Sequence, residues 1–160
     1  MASAPSSESL SQTLLGLLAD AAFIFAEPTH APLPATENTI VARLTMVHGE
    51  SWDLCVCVQD KLGDVLAANL LGTESETREA RAAAADAVGE LANILAGALA
   101  VELFGKDVVC QIGIPVATVE TGRAASERLA KATCRANLLT EEGYALAVAL
   151  TVVQTTEGGA

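Results

Sequence analysis

The chain has 160 residues, enough for one domain with a sizeable core, and 51% of them are hydrophobic. Its formal net charge of −11 argues against nucleic acid and against an anionic membrane surface, because binding to either needs clustered Lys and Arg. We therefore expect a partner that offers positive charge. Aromatic residues make up only 3%, so we expect a core built from Ala, Leu, Val and Ile.

The two ends of the chain are predicted to lie outside the fold. Residues 1–8 are small and polar and should be disordered, residues 9–154 should form a single domain, and residues 155–160 should be a loose tail. The apolar run Leu14–Phe25 contains Asp20 and is too short to span a bilayer, and no basic residue precedes it. We expect no signal peptide and no membrane span, and hence a soluble, cytoplasmic protein.

The first part of the chain carries helical and then strand periodicity. A helix is predicted over Glu8–Ala26, with an apolar stripe that runs to Phe25 and with Pro28 as its terminator. Two strands, Thr39–Val47 and Trp52–Gln59, flank a short turn and should form a hairpin.

Two more helices are predicted next. The first covers Asp60–Leu71, and Gly72 should close it. The second, Glu76–Phe104, is rich in Ala and Leu and free of proline, and residues 73–75 can start it.

The last third of the chain is predicted to add three strands. Val108–Ile114 should end at Pro115, while Ala132–Leu139 and Tyr144–Val153 flank a hairpin turn at residues 140–143. Residues 116–129 have no clear pattern and are expected to be mostly loop. The predicted fold class is α+β, a mostly antiparallel sheet with the long helices packed on one face.

Conventional catalytic and metal-binding patterns are missing from the sequence. The cysteines, Cys55, Cys57, Cys110 and Cys134, lack a zinc-site spacing and are expected to be small core residues in a reducing compartment. His30 and His48 are isolated, so they suggest neither a metal cluster nor a catalytic triad. Asp53 and Asp60 are interpreted as a strand-edge residue and a helix cap. We therefore predict no metal site in this chain.

One face of the long helix is unusual. Asp86, Glu90, Asn93 and Gly97 fall together at spacings of three and four residues, which makes them neighbours on a helix surface. Otherwise this face carries only small residues: Ala82, Gly89, Ala96 and Ala100. A solvated helix face normally carries many Lys, Glu and Arg, so this composition favours the close approach of another surface.

The glycines leave two interpretations open. Glycine costs about 1 kcal/mol in a helix interior relative to alanine. Gly89 and Gly97 flank the Glu90/Asn93 pair, as they would if a partner backbone came close. Alternatively, the glycines serve helix–helix packing, and the two polar side chains are simply solvated. A bare Glu-x-x-Asn spacing does not decide between these.

At these residues the chain resembles the CheX-like branch of the CheC/CheX/FliY chemotaxis phosphatase family. That family carries an acidic residue or Ser, then Glu four positions on and Asn three further, with a Pro some twenty-odd residues later. Asp86, Glu90, Asn93 and Pro115 match in order and nearly in spacing. The similarity extends over about residues 39–153.

The resemblance implies a function and roles for these residues. The family dephosphorylates the response regulator CheY. Asn93 would orient the water that attacks the aspartyl phosphate, and Glu90 would pair with the regulator's lysine. Asp86, Gly89 and Gly97 would contact the partner. Mg²⁺ would belong to the regulator, so this chain would need no cofactor of its own.

The resemblance also bears on the number of sites, on the oligomeric state and on alternative functions. The first helix has no second Glu-x-x-Asn, so one site per chain is expected, and a homodimer joined through the sheet is carried over from CheX. The main alternative function is a non-catalytic adaptor that binds a regulator or a flagellar-switch component. A third is a structural homodimerisation domain in which the Glu90 face packs against a copy of itself.

Overall fold

The computed structural model describes residues 2–72, 74 and 77–153. Within those residues the elements, in chain order, are α1 (Ser7–Ala22), β1 (Ala26–Pro28), β2 (Asn38–His48), β3 (Glu50–Gln59), α2 (Asp60–Leu71), α3 (Arg78–Phe104), β4 (Gln111–Ile112), β5 (Val116–Thr121), α4 (Gly122–Leu129), β6 (Cys134–Thr140) and β7 (Ala145–Val153).

All strands belong to one antiparallel sheet. Its order is β1-β6-β7-β3-β2, and β4 and β5 both pair with the outer side of β2. The β2–β3 hairpin turns at Gly49, and the β6–β7 hairpin turns near Gly143; both glycines have positive φ. The two hairpins are confirmed, and so is α2, which ends at Gly72 with φ 74°.

The main core lies between one face of the sheet and the helices α1, α2 and α3. Leu14, Leu66 and Leu95, from the three helices, are fully buried there. Trp52 of β3 lies in the same core with 2% of its surface exposed, and its indole Nε1 has no hydrogen-bond partner within the described part of the chain. The predicted fold class is confirmed.

Helix α4 covers the opposite face of the sheet and makes a second, smaller core. Ala125 and Leu129 pack there with Leu33, Val41 and Ala147. Arg128 Nε donates to Glu120 Oε2 at 2.8 Å, which ties α4 to β5. This guanidinium hydrogen bond holds the pKa of the Glu120 carboxyl below its ordinary value.

The first helix is shorter than predicted, and Pro28 does not end it. It ends at Ala22, because Phe23 takes a left-handed conformation (φ 54°) and the Ile24 N–H returns to the Leu18 carbonyl at 3.0 Å. Phe25 is therefore exposed instead of completing an apolar stripe. The residues that follow form β1, an edge strand that the pattern did not predict.

The region after α3 also differs from the prediction. Only Gln111–Ile112 of the predicted strand 108–114 pairs with β2, and the expected loop 116–129 is β5 followed by α4. Pro115 has no N–H to donate to a strand ladder, so the chain leaves β2 there and pairs with it again through β5.

The starts of the next two helices also bear on the predictions. Helix α3 begins at Arg78, and the Thr77 Oγ1 caps it by accepting from the Ala80 N–H at 3.1 Å. The predicted start at Glu76 lies outside the described residues, as do Thr73 and Ser75. Asp60 is the first residue of α2 and not its cap, which is Gln59.

By length and composition alone α3 could cross a membrane, but in this fold it is the central core helix.

The domain boundaries stay predictions. At the N-terminal end, α1 begins at Ser7, and the Ala2 N–H donates to Glu50 Oε1 at 2.8 Å. The predicted tail lies outside the described residues.

Candidate functional site

The site is built on α3, whose inner face fixes its orientation. Val88, Leu91, Leu95 and Leu99 are fully buried in the main core. Because these side chains recur every three or four residues, the opposite face of the helix is held outward. Asp86, Glu90 and Asn93 lie on that outward face, and all three are exposed.

An open cavity of about 470 Å³ brings these polar side chains together with the segment before β5. Besides the three polar residues, its lining includes Ile112, Gly113, Ile114 and Pro115. The Gly113 N–H donates to the Thr45 carbonyl at 2.8 Å, which anchors this segment to β2. Residues of α3 and Pro115, which are far apart in the sequence, thus line one depression.

The polar side chains of the cavity are available to another molecule. Within the described residues, no hydrogen bond or ion pair engages the side chains of Asp86, Glu90 or Asn93. A carboxylate accepts hydrogen bonds and attracts a cation, and a carboxamide both donates and accepts. The same part of the chain has no group of three His, Cys, Asp or Glu side chains that could hold a metal ion. Such a site can recognise and position a group that a partner brings.

The small residues around Glu90 and Asn93 differ in how deeply they are buried. Gly89 is buried, because Pro115 packs over it; a Cβ added at Gly89 would lie 3.6 Å from the Pro115 Cβ. Ala96 and Ala100 are also buried, since α3 packs against α1, α2 and the sheet. The prediction of one bare face of small residues was therefore wrong at these three positions. Gly97 is half-buried and has open space where a Cβ would point.

Exposed apolar residues near this end of the sheet were not predicted. Ile114, in the cavity lining, is 89% exposed, and Val109, in the loop after α3, is 85% exposed. That loop is held at its Val109 carbonyl, which is 3.1 Å from His48 Nδ1, while the His48 ring packs against Phe104. The alternating pattern over residues 108–114 predicted a paired strand, so the exposure of these apolar side chains was not expected. The apolar residues just before Pro115 could have indicated it, because proline interrupts strand pairing.

The remaining candidates lie elsewhere. His30 and His48 do not line the cavity, and neither do the four cysteines. Asp53 accepts a hydrogen bond from the Thr45 hydroxyl at 3.0 Å, within the β2–β3 pair. Asp60 lies 3.8 Å from Arg81 on α3.

Comparison with known proteins agrees with this architecture. Residues 40–138, more than half of the chain, match the family described as chemotaxis phosphatase CheX. A search of curated proteins finds no match. Among solved structures, CheX from Vibrio vulnificus is similar with a TM-score of 0.66 at 16% identity, over 92% of this chain and 99% of that chain.

Two further structures extend the likeness. The CheX–CheY–BeF₃–Mg²⁺ complex from Borrelia burgdorferi is similar with a TM-score of 0.66 at 15% identity, over 94% of this chain and 99% of that chain. FliY from Thermotoga maritima is similar with a TM-score of 0.56 at 14% identity, over 90% and 84%. At these identities the structures show the shared fold, and the sequence match shows the family. The chain belongs to the CheX family of chemotaxis phosphatases.

Proposed function

We propose that this protein is a phosphatase for the aspartyl phosphate of a CheY-type response regulator. Asn93 orients the attacking water, and Glu90 pairs with the regulator's active-site lysine. The observation that carries the proposal is the exposed carboxylate and carboxamide, three residues apart on a core-anchored helix and without partners in the described structure. Membership of the CheX family supports it.

The chemistry asks little of this chain beyond positioning. Water attacks phosphorus, and the aspartate oxygen of the regulator leaves as a carboxylate. Phosphoryl transfer depends mainly on alignment and on stabilisation of charge, so an amide that fixes the water in line with the P–O bond can accelerate it. Glu90, paired with a lysine, would hold Asn93 in register. Mg²⁺ would belong to the regulator, since Mg²⁺ accompanies CheY in the Borrelia complex.

The rest of the surface suits such a partner. Asp86, Gly89 and Gly97 were predicted to contact the regulator. We now propose that Asp86 does so by its charge and Gly97 by leaving that part of α3 accessible, whereas Gly89 lets Pro115 pack close to the helix and so shapes the cavity wall. The net charge of −11 matches the expectation of a partner with a basic centre, and the cytoplasm is the compartment we propose. A homodimer through the sheet stays a prediction; among the described residues no further strand pairs with the outer edge formed by β4 and β5.

The direct test measures phosphate release from a CheY-type regulator that has been phosphorylated with a small acyl phosphate. The wild-type chain should shorten the lifetime of the phosphorylated regulator catalytically, at substoichiometric concentration. An adaptor would bind the phosphorylated regulator and leave its lifetime unaltered, and that result would overturn the proposed activity.

Ile114→Asp should weaken docking of the regulator. Ile114 is almost fully exposed and lines the same cavity as Asn93, so the change should alter the free energy of unfolding by less than about 0.5 kcal/mol. Loss of an apolar anchor, together with the cost of desolvating an unpaired carboxylate in the interface, should raise the Kd roughly tenfold, about 1.4 kcal/mol. Val119→Asp, also exposed but outside the cavity, is the control; equal effects of both variants would contradict a docking role for Ile114.

Gly97→Ala separates stability from partner contact. Apart from the backbone of its own helix turn and its chain neighbours, no heavy atom lies within 4 Å of an added Cβ. The residue is in a helix interior, so alanine should stabilise the protein by about 0.5–1 kcal/mol. If the regulator approaches α3 at this point, the same variant should bind it more weakly. Denaturant unfolding and a binding titration measure the two effects, and unchanged affinity would remove Gly97 from the proposed interface.

A further inference from the structure

A second cavity lies at the outer edge of β6, where β1 stops. Strand β1 pairs with only the last three residues of β6, 138–140, and the Thr29 N–H adds one bond to the Asn137 carbonyl at 2.9 Å. The chain then turns away, and Pro32, which has no N–H, cannot continue the ladder. Within the described structure no strand covers the outer side of residues 134–136, and an open cavity of about 680 Å³ lies there.

This β6-edge cavity is separate from the proposed phosphatase site. Its lining comes from the first two turns of α1, the start of β6, the loop 28–33 and α4, and it shares no residue with the cavity at Asn93. The loop is anchored at Leu33, which is buried with Leu129 of α4 in the second core. Small-molecule sites typically have volumes of roughly 300–1,000 Å³, so this cavity can hold a small metabolite.

Ser11 is the buried polar residue of this lining. Only 7% of it is exposed, and its hydroxyl makes no hydrogen bond to any other described residue. A buried hydroxyl that stays unsatisfied costs about 1–3 kcal/mol, and alanine would favour the helix more than serine does. A ligand in the cavity can supply the partner that this hydroxyl lacks.

Two opposite charges line the same cavity without pairing. Arg135 on β6 and Glu8 in the first turn of α1 are both exposed, and neither forms an ion pair within the described residues. Around them, the carboxamides of Gln12 and Asn137 and the imidazole of His30 are also unpartnered in that part of the chain, and these groups can donate and accept hydrogen bonds. The lining can therefore recognise a polar ligand of mixed charge.

The two charges select the class of ligand. A simple anion at Arg135 would lie in the same cavity as the Glu8 carboxylate, and a simple cation at Glu8 would lie with the guanidinium. Such like charges disfavour both classes. A zwitterion satisfies both groups, and a guanidinium binds a carboxylate through two parallel hydrogen bonds. We propose that the β6-edge cavity binds a free α-amino acid, with its carboxylate on Arg135 and its ammonium group on Glu8, and that Ser11 donates to the carboxylate.

The test screens the full-length chain against the standard α-amino acids by thermal shift and measures affinity by calorimetry. At least one amino acid should raise the Tm, because it binds the folded state, and should bind at one site per chain. Arg135→Gln should weaken this binding roughly tenfold or more, and Ser11→Ala roughly threefold to tenfold. Arg123→Gln, which changes an exposed arginine of α4 outside the cavity, is the matched control and should bind like the wild type.

Derivatives of the best amino acid test the assignment of each charge. The N-acetyl derivative and the α-amide each lose one charge, so each should bind roughly tenfold more weakly than the free amino acid. Glu8→Gln should weaken the free amino acid and leave the N-acetyl derivative unaffected. Circular dichroism checks the fold of each variant, and the exposure of Arg135 and Glu8 makes a folding defect unexpected.

Three results would overturn the proposal. The first is the absence of a Tm shift with every amino acid, and the second is equal affinity in Arg135→Gln and Arg123→Gln. The third is binding of acetate as tight as that of the amino acid and insensitive to Glu8→Gln, which would make the cavity a plain anion site.

Discussion

Asn93→Ala is expected to slow hydrolysis of the phosphorylated regulator by on the order of 100-fold, because the attacking water loses the amide that aligns it. The side chain is exposed and unpartnered in the described structure, so its removal leaves no buried group unsatisfied. Alanine also favours helix more than asparagine does. Stability and regulator affinity should therefore stay near the wild-type values while the hydrolysis rate falls.

The measurement is single-turnover phosphate release at saturating concentrations of the variant, which separates the chemical step from binding. Glu79→Ala is the matched control: it is also exposed on α3, but it lies outside the cavity, and it should hydrolyse at the wild-type rate. If Asn93→Ala releases phosphate as fast as Glu79→Ala, Asn93 does not position the water.

Gly122→Ala is expected to be the most destabilising of the substitutions considered, at about 2–3 kcal/mol. Gly122 begins α4, and a Cβ there would lie 1.8 Å from the Pro34 carbonyl oxygen and 2.7 Å from its carbon. These are backbone atoms, and the Gly122 N–H is itself bonded to the Glu37 carbonyl at 2.9 Å. The loop over α4 would have to move, and the small second core that contains Leu33 would open.

Thermal and urea unfolding should both detect this change, with a Tm lower by roughly 5–10 °C. Gly97→Ala is the control, since it adds the same methyl group where no atom from another part of the structure lies within 4 Å. Equal stability of the two variants would show that the contact between the loop and α4 does not contribute to folding.

Elements with strong local signals could be predicted from the sequence. The β2–β3 and β6–β7 hairpins carry alternating residues around glycine turns, and α2 ends at a glycine. The end of α1 could not be predicted, because its stop is a left-handed Phe23, a conformation that has no characteristic residue type apart from glycine and asparagine. β4 and β5 are edge strands whose pairing with β2 depends on the tertiary fold rather than on their own pattern.

The candidate site, too, could be predicted only in part from the sequence. Helical spacing alone places Asp86, Glu90 and Asn93 on one stripe, and α3 presents them so. Their roles stay predictions. The other wall of the cavity could not be derived from spacing, since Ile114 and Pro115 reach α3 only through the pairing of β4 and β5 with β2. For the same reason the small residues Gly89 and Ala96 were expected to be bare, although tertiary packing covers them.

The burial of Trp52 has a practical consequence for all of these experiments. It is the protein's single tryptophan, and it lies deep in the main core, on the opposite side of β3 from Cys55 and Cys57. Fluorescence excited at the red edge of indole absorption will therefore follow loss of the core on unfolding. The Trp52 emission maximum should shift to the red only when the core opens, so the same signal can follow unfolding in each of the stability measurements.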